Sequence, residues 1–292
     1  MGVQAISEEQ VAQYQRDGAI LIRNALDVRQ IALLERGLEE AYATRGDRYS
    51  IVRSPEGEGE TLVEQFGSTH CPSLRALIEE GRVAEIAARL MDVPSAQLLL
   101  DQIFYKTRGF INPTPWHQDT PYLRLRGHDM ARVWLTCDPS PKALTVQVVR
   151  GSHRWNVVYD TAIAAADRIV AAEEGGGFTY AGVGLASAPK APDVARYRDS
   201  FDILTWDVEP GDAVVFNGNV LHGAQGCADH GSPRRAFATL WGGPEVRYVH
   251  PPGNAVPTLA EINMIPVPEG ARIGDHEAAF PVGWRAASNQ GG

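Results

Sequence analysis

Cysteine is almost missing from this 292-residue chain, which has only Cys71, Cys137 and Cys227, far apart and odd in number. They suggest no disulfide framework, and reduced thiols in a cytoplasmic protein are the expectation. A basic surplus is lacking as well. The formal net charge is −9, which argues against a general nucleic-acid binder but leaves room for a local basic pocket. No apolar run approaches the roughly 20 residues of a membrane helix. Residues 1–10 show no basic region followed by an apolar stretch, so no signal peptide is expected. Gly182 and Gly184 lack the third glycine and the strand–helix setting of a dinucleotide fingerprint. No internal repeat is visible. No nucleic-acid or membrane partner is expected, and the oligomeric state is not readable.

What is present is ordinary globular material. Hydrophobic residues make up 44% of the chain and charged residues 22%, and the length is ample for a buried core. Ser7, followed by Glu8 and Glu9, predicts a helix N-terminus, and Gly18 its end. Ala19 to Ile22 predicts a short buried strand. Asp27 caps a second helix with an apolar stripe of Ile31, Leu34 and Leu38. Residues 46–61, charged and glycine-rich, read as a surface loop. A third helical region spans about 73–91, broken near Gly81. The pattern then changes to short strands near 97–106, 115–119, 132–137, 144–149, 203–208, 212–217 and 234–241. The turn Glu209-Pro210-Gly211-Asp212 has the proline–glycine centre of type II. Many short strands with such punctuation predict an all-β sandwich or barrel with the helices on one outer face. The organisation expected is one domain over 1–292. Residues 1–95 would be mostly helical, 96–248 a strand core interrupted by an insertion at 156–202, and 249–292 a C-terminal extension. An insertion of that length can serve as a lid.

One run carries chemistry: Pro115-Trp116-His117-Gln118-Asp119-Thr120-Pro121-Tyr122. On a strand, residues two apart share a face, so His117 and Asp119 could grip one metal while Gln118 points away. His222 follows the apolar stretch Ala213-Val214-Val215-Phe216, at the end of an expected hairpin. Two histidines and one carboxylate leave about three positions of an octahedral ion open, which suits non-haem iron, a bidentate 2-oxo acid and O2. Zinc is the main competitor. Structural zinc prefers cysteine and closed tetrahedral sites, while a zinc hydrolase could use the same three ligands. Arg234 could reach back toward the metal, where its planar fork suits a carboxylate. Alternation lets only one of Arg234 and Arg235 face inward. If Arg234 does, Ala236 and Ala238 share its face and leave room for a ligand, while Phe237 and Trp241 pack toward the helices. His153, just after a strand, is expected to fix a turn. His70, His128, His230, His250 and His276 have no spaced partners.

In order along the chain, Glu9 to Gly18, Asp101-Gln102-Ile103-Phe104-Tyr105-Lys106, His117-Gln118-Asp119, Val133-Trp134-Leu135, Gly151-Ser152-His153, Pro210-Gly211-Asp212, and His222 with Arg234-Arg235-Ala236 resemble the phytanoyl-CoA dioxygenase family of Fe(II)/2-oxoglutarate oxygenases. The ordered set is far more specific than any member. The resemblance implies a mainly β fold, a double-stranded β-helix (a jelly roll, cupin-like) with flanking N-terminal helices. It implies Fe(II) on His117, Asp119 and His222, with Arg234 holding the distal carboxylate of 2-oxoglutarate and Gln102 and Trp134 lining the cosubstrate pocket. The reaction implied is oxidation of a small molecule with release of succinate and CO2. A carboxylate at Asp119, where related halogenases have a small residue, implies hydroxylation, desaturation or ring formation. Three departures stand out: Ala143-Leu144 where relatives often have Asn-Gly, Arg150 where they often have proline, and Ala224 where many have a hydroxyl residue. Tyr122, Arg124 and Arg126 follow the metal motif and are candidates for substrate contact. The arginines could meet an anionic substrate, and a solvated strand face explains them equally well. The competing readings are a non-catalytic jelly-roll binding protein and the zinc hydrolase.

Overall fold

A computed structural model describes residues 5–45, 50–53, 59–111, 113–159, 188–250 and 256–287, without the side chains of 50–53, Phe110, Tyr122, Ala228 and Asp229. Local chemistry sets the first elements. Helix α1 (Glu8–Asp17) opens with a capping box between Ser7 and Gln10. It closes at Gly18, whose φ of 78° is left-handed and whose N–H donates to the Tyr14 carbonyl. Strand β1 (Ala19–Ile22) follows at once. Helix α2 (Val28–Ala43) has the same kind of cap from Asp27 and Gln30 and buries Leu34 and Leu38. Strands β2 (Ser50–Arg53) and β3 (Glu60–Gln65) then pair antiparallel. These two strands fall in and beside 46–61, so the reading of that stretch as a surface loop is corrected. Helices α3 (Pro72–Glu79) and α4 (Arg82–Met91) flank Gly81, whose φ is 76°.

The rest is mainly strand. In chain order come β4 (Ser95–Lys106), β5 (Gly109–Ile111), β6 (Thr114–His117), β7 (Leu125–Arg126), β8 (Met130–Thr136), β9 (Gln147–Val149), β10 (Ile203–Leu204), β11 (Ala213–Asn217), β12 (His222–Ala224), β13 (Cys227–His230), β14 (Arg234–Gly242) and β15 (Arg247–Tyr248). A one-turn helix, α5 (Leu259–Ile262), and a last strand, β16 (Val282–Arg285), complete the chain. The larger sheet has eight strands in the order β1-β11-β8-β14-β4-β3-β2, with β16 also on β4. The smaller has four, β10-β9-β12-β6. Strands from both ends of the chain thus extend the larger sheet.

Alternation assigns the two faces of the larger sheet. Ala131, Val133 and Leu135 of β8, Ala213 and Val215 of β11, and Phe237 and Trp241 of β14 join the cluster that contains Leu34, Leu38, Leu74, Ile86 and Leu90 of the helices. Trp134, Val214, Phe216, Ala236 and Ala238 face the other way and cluster with Val148 of the smaller sheet. Helices α2 and α4 pack on the outer face, and the interior between the sheets is left to side chains of both. This is the jelly-roll arrangement with flanking helices. Among the described residues no helix is long and apolar enough to cross a membrane. Most of the expected insertion, 160–187, lies outside the described residues, and the lid reading with it.

Candidate metal centre

Strand β6 brings His117 to the edge of the smaller sheet, in register with His222 of β12. The hairpin expected before His222 is not there. Strand β11 lies in the larger sheet and β12 in the smaller, so Gly218 to Leu221 carry the chain from one sheet to the other. Asp119 is also not on the strand with His117. The strand ends at His117, and Asp119 has helical backbone (φ −75°, ψ −40°) before the turn Thr120–Tyr122. The chain has left the sheet before Pro121, which cannot donate to a sheet ladder. The Asp119 N–H donates to the Gly218 carbonyl at 3.1 Å, so the loop between the sheets sets the carboxylate. That loop is interlocked with the metal motif. Gln118 Nε2 donates to the Asn219 carbonyl at 2.9 Å, and Thr120 Oγ1 donates to Asn219 Oδ1 at 2.9 Å. Gln118 does point away from His117 and Asp119, into these contacts and one to the Val157 carbonyl.

The three side chains converge. His117 Nε2 and His222 Nε2 each lie 3.7 Å from Asp119 Oδ1. The ligand atoms of the group are all within 4.8 Å of one another, close enough to hold one metal ion. His117 Nδ1 donates to the Pro115 carbonyl at 2.7 Å and His222 Nδ1 to the Val220 carbonyl at 3.2 Å. Each ring therefore presents Nε2 to the common point, the tautomer a metal ligand needs. Burial keeps both imidazoles neutral. His222 is pushed down to about 3 by burial and next by His117, with Asp119 opposing. His117 is lowered by burial, again against Asp119. Neutral imidazoles, a carboxylate and no cysteine are a donor set that fits Fe(II).

The Gly-Ser-His turn supports His222 from behind. Ser152 Oγ accepts from the N–H of Leu221 and donates to the Val149 carbonyl. Gly151 N–H donates to the Asp17 carbonyl, and His153 Nε2 lies 3.1 Å from the Gln15 carbonyl, so the turn is docked on α1. Arg150, one of the departures, joins this dock through Asp17 Oδ2 at 3.0 Å.

The inner face of the larger sheet holds the other expected residues. Gln102, Ala238 and Trp134 form one cross-strand row over β4, β14 and β8. Farther along, Ala236 pairs with Phe104 and Arg234 with Lys106. Arg234 is buried on this face and donates to the Leu144 carbonyl. Burial pushes its guanidinium down to about 10. Arg235 points out, to Asp138 (2.7 Å) and Glu39 (2.6 Å). Sequence reading missed Lys106, a buried cation directly across from Arg234, pushed down to about 7 by burial and then by Arg234. It also missed Arg132. The Arg132 Nε donates to Asp119 Oδ2 at 2.6 Å and Nη1 to Gln102 Oε1 at 2.7 Å. The available signal was a lone charge in Met130-Ala131-Arg132-Val133-Trp134-Leu135, on the alternation face of Trp134. The structure gives the two arginines after the motif other partners. Arg126 Nη1 donates to the carbonyls of Thr120, Leu123 and Leu125, and Arg124 pairs with Glu261 at 2.8 Å. Tyr122 ends the turn, its side chain outside the described set.

The phytanoyl-CoA dioxygenase (PhyH) family profile matches residues 14–236. The chain belongs to the phytanoyl-CoA dioxygenase family. Solved structures similar to this member are the epimerase SnoN in complex with Fe3+, alpha ketoglutarate and nogalamycin RO (18% identity, 95% of this chain and 98% of that one, TM-score 0.66). The alpha ketoglutarate dependent carbocyclase SnoK from nogalamycin biosynthesis is also similar (17% identity, 97% and 99%, TM-score 0.67). So is EctD from S. alaskensis with 2-oxoglutarate and 5-hydroxyectoine (17% identity, 92% and 86%, TM-score 0.61). At these identities the likeness is one of fold. No curated protein matches the chain.

Proposed function

We propose that this protein is an Fe(II)/2-oxoglutarate-dependent oxygenase that oxidises a small organic molecule, by hydroxylation, desaturation or ring formation. The observation that carries the reading is the convergence of His117 Nε2, His222 Nε2 and Asp119 Oδ1 inside a jelly roll of this family. Iron, 2-oxoglutarate and O2 would supply the oxidising power, with succinate and CO2 released. His117, Asp119 and His222 hold the metal. Arg234 receives the distal carboxylate, and the small side chains of Ala236 and Ala238 leave space for the carbon chain beside it. Gln102 and Trp134 border that space, and burial between the sheets keeps water from the reacting groups.

Arg124 and Arg126 are held by Glu261 and by backbone carbonyls, which weakens the case for an anionic substrate recognised by them. An anaerobic titration tests the assignment. Fe(II) plus 2-oxoglutarate should give a visible charge-transfer band, which neither a relic binding protein nor a zinc hydrolase predicts. O2-dependent succinate release across a panel of small acids, acyl-CoA thioesters and polycyclic scaffolds would then find the substrate class.

A further inference from the structure

Arg132 is the one charged residue of β8. Arg132 is 4% exposed and sits between Phe216 of β11 and Leu240 of β14, in the middle of the larger sheet. A buried guanidinium is costly unless it is paired and hydrogen-bonded. Here two different nitrogens are engaged, Nε by Asp119 Oδ2 and Nη1 by Gln102 Oε1. The group is planar and rigid, so it cannot turn toward one partner without losing the other. Asp119 belongs to the loop after β6 and Gln102 to β4. Arg132 of β8 contacts both.

We propose that Arg132 is a positioning residue that sets the metal-binding carboxylate of Asp119 and the side-chain amide of Gln102 together, so that one guanidinium aligns the metal site and the cosubstrate site. The inference rests on the proposed function for the identity of the cosubstrate. Two consequences follow from the bond pattern. With Oδ2 accepting from Arg132, Asp119 presents Oδ1 to the point that both Nε2 atoms face, 3.7 Å from each. Oδ1 is thus the Asp119 oxygen that would hold a metal there. With Oε1 of Gln102 accepting from Arg132, the amide N–H groups of Gln102 are turned away from the guanidinium, as donors on the inner face that also carries Arg234. The pair Arg132–Asp119 also gives the carboxylate a counter-charge before any metal arrives, so the site is preformed. Lysine at 132 could keep the charge near Asp119, but as a point charge it cannot hold both partners in one plane.

The test uses the full-length protein, Co(II) as metal probe and 2-oxoglutarate as cosubstrate probe, without oxygen. Arg132→Met should weaken Co(II) binding about 10- to 100-fold, the usual effect of losing a group that orients a metal ligand, and change the Co(II) d–d spectrum. Arg132→Lys should restore most of the Co(II) affinity, yet bind 2-oxoglutarate as weakly as Gln102→Leu, with the same displaced Fe(II) charge-transfer band. Gln102→Leu should leave Co(II) affinity within about twofold of the parent. A merely structural ion pair would move the melting temperature and not this split. Folded Arg132→Met with parental Co(II) affinity and spectrum would overturn the proposal. So would Arg132→Lys with parental 2-oxoglutarate affinity, and that result remains readable if the methionine variant does not fold. A parent that binds Co(II) but gives no band with Fe(II) and 2-oxoglutarate would sink the cosubstrate reading. Arg132's hold on Asp119 would still be judged by the Co(II) arm alone.

Discussion

Arg234 and Arg235 are neighbours in sequence and opposites in the structure, and replacing each by glutamine separates the proposed cosubstrate contact from the structural one. Arg234 is 6% exposed on the inner face. Its bond to the Leu144 carbonyl supplies no counter-charge, and burial lowers its pKa. A carboxylate about 4 Å away at an effective dielectric of about 20 gains about 4 kcal/mol. Removing one partner of such a buried, hydrogen-bonded charge pair costs about 2–5 kcal/mol, or about 30- to 5,000-fold in Kd. We expect Arg234→Gln to weaken 2-oxoglutarate binding by two to three orders of magnitude (about 100- to 1,000-fold). The ligand-free protein should melt no earlier, because an under-compensated buried cation has been removed. Arg235 is different. It ties Asp138 and Glu39 to the outer face, so Arg235→Gln should cost about 1–3 kcal/mol of stability and leave 2-oxoglutarate affinity within about twofold. The assay is an anaerobic titration of the Fe(II) protein followed at the charge-transfer band, with thermal melts of both variants. Arg234→Gln binding 2-oxoglutarate within threefold of the parent, or Arg235→Gln carrying the loss instead, would refute the reasoning from alternation.

Three further outcomes follow from the same structure. Asp119→Ala should lose Co(II) affinity and succinate production together; full succinate yield would remove Asp119 from the ligand set. Asp101 is fully buried, and burial pushes its carboxyl up to about 6 from 3.8, the two bonds from Ser68 opposing and Glu64 adding. The folded form then binds the extra proton, so this group's stabilising contribution is complete below 3.8 and is lost as pH rises to about 6. The loss is roughly 3 kcal/mol at most; Asp101→Asn should remove that pH dependence, measured by urea unfolding from pH 4 to 7. Gly18→Ala should destabilise by more than about 1 kcal/mol, because φ is 78° and a Cβ would lie 2.3 Å from His153 Nδ1. Parental stability of that variant in urea would contradict the docking of the Gly-Ser-His turn on α1.

The strand core was legible because its signals are local. Alternation in Ala213 to Asn217 and Arg234 to Gly242 sorts inward from outward residues without knowledge of the neighbours. The ends of the elements were not legible in the same way. The β2–β3 hairpin hid in a charged, glycine-rich stretch, because it is held through the pairing of β3 with β4 rather than by a strong pattern of its own. The two-residue spacing of His117 and Asp119 suggests a shared strand, and spacing alone cannot register that the strand ends at His117.

By itself the sequence determined the capped helices, the strand periodicity, and a set of ligand types whose order along the chain matches one family. Those properties depend on residues a few positions apart. Only the tertiary structure decided that Asp119 is held by Gly218 and Arg132, that Gln102 shares the same guanidinium, and that Lys106 faces Arg234. These contacts join residues as far as 128 positions apart by number, as in Lys106 and Arg234, and they exist only once strand order and register are fixed. A charge inside an apolar strand is a cost that the chain can bear only if partners arrive from elsewhere, and no local rule names those partners.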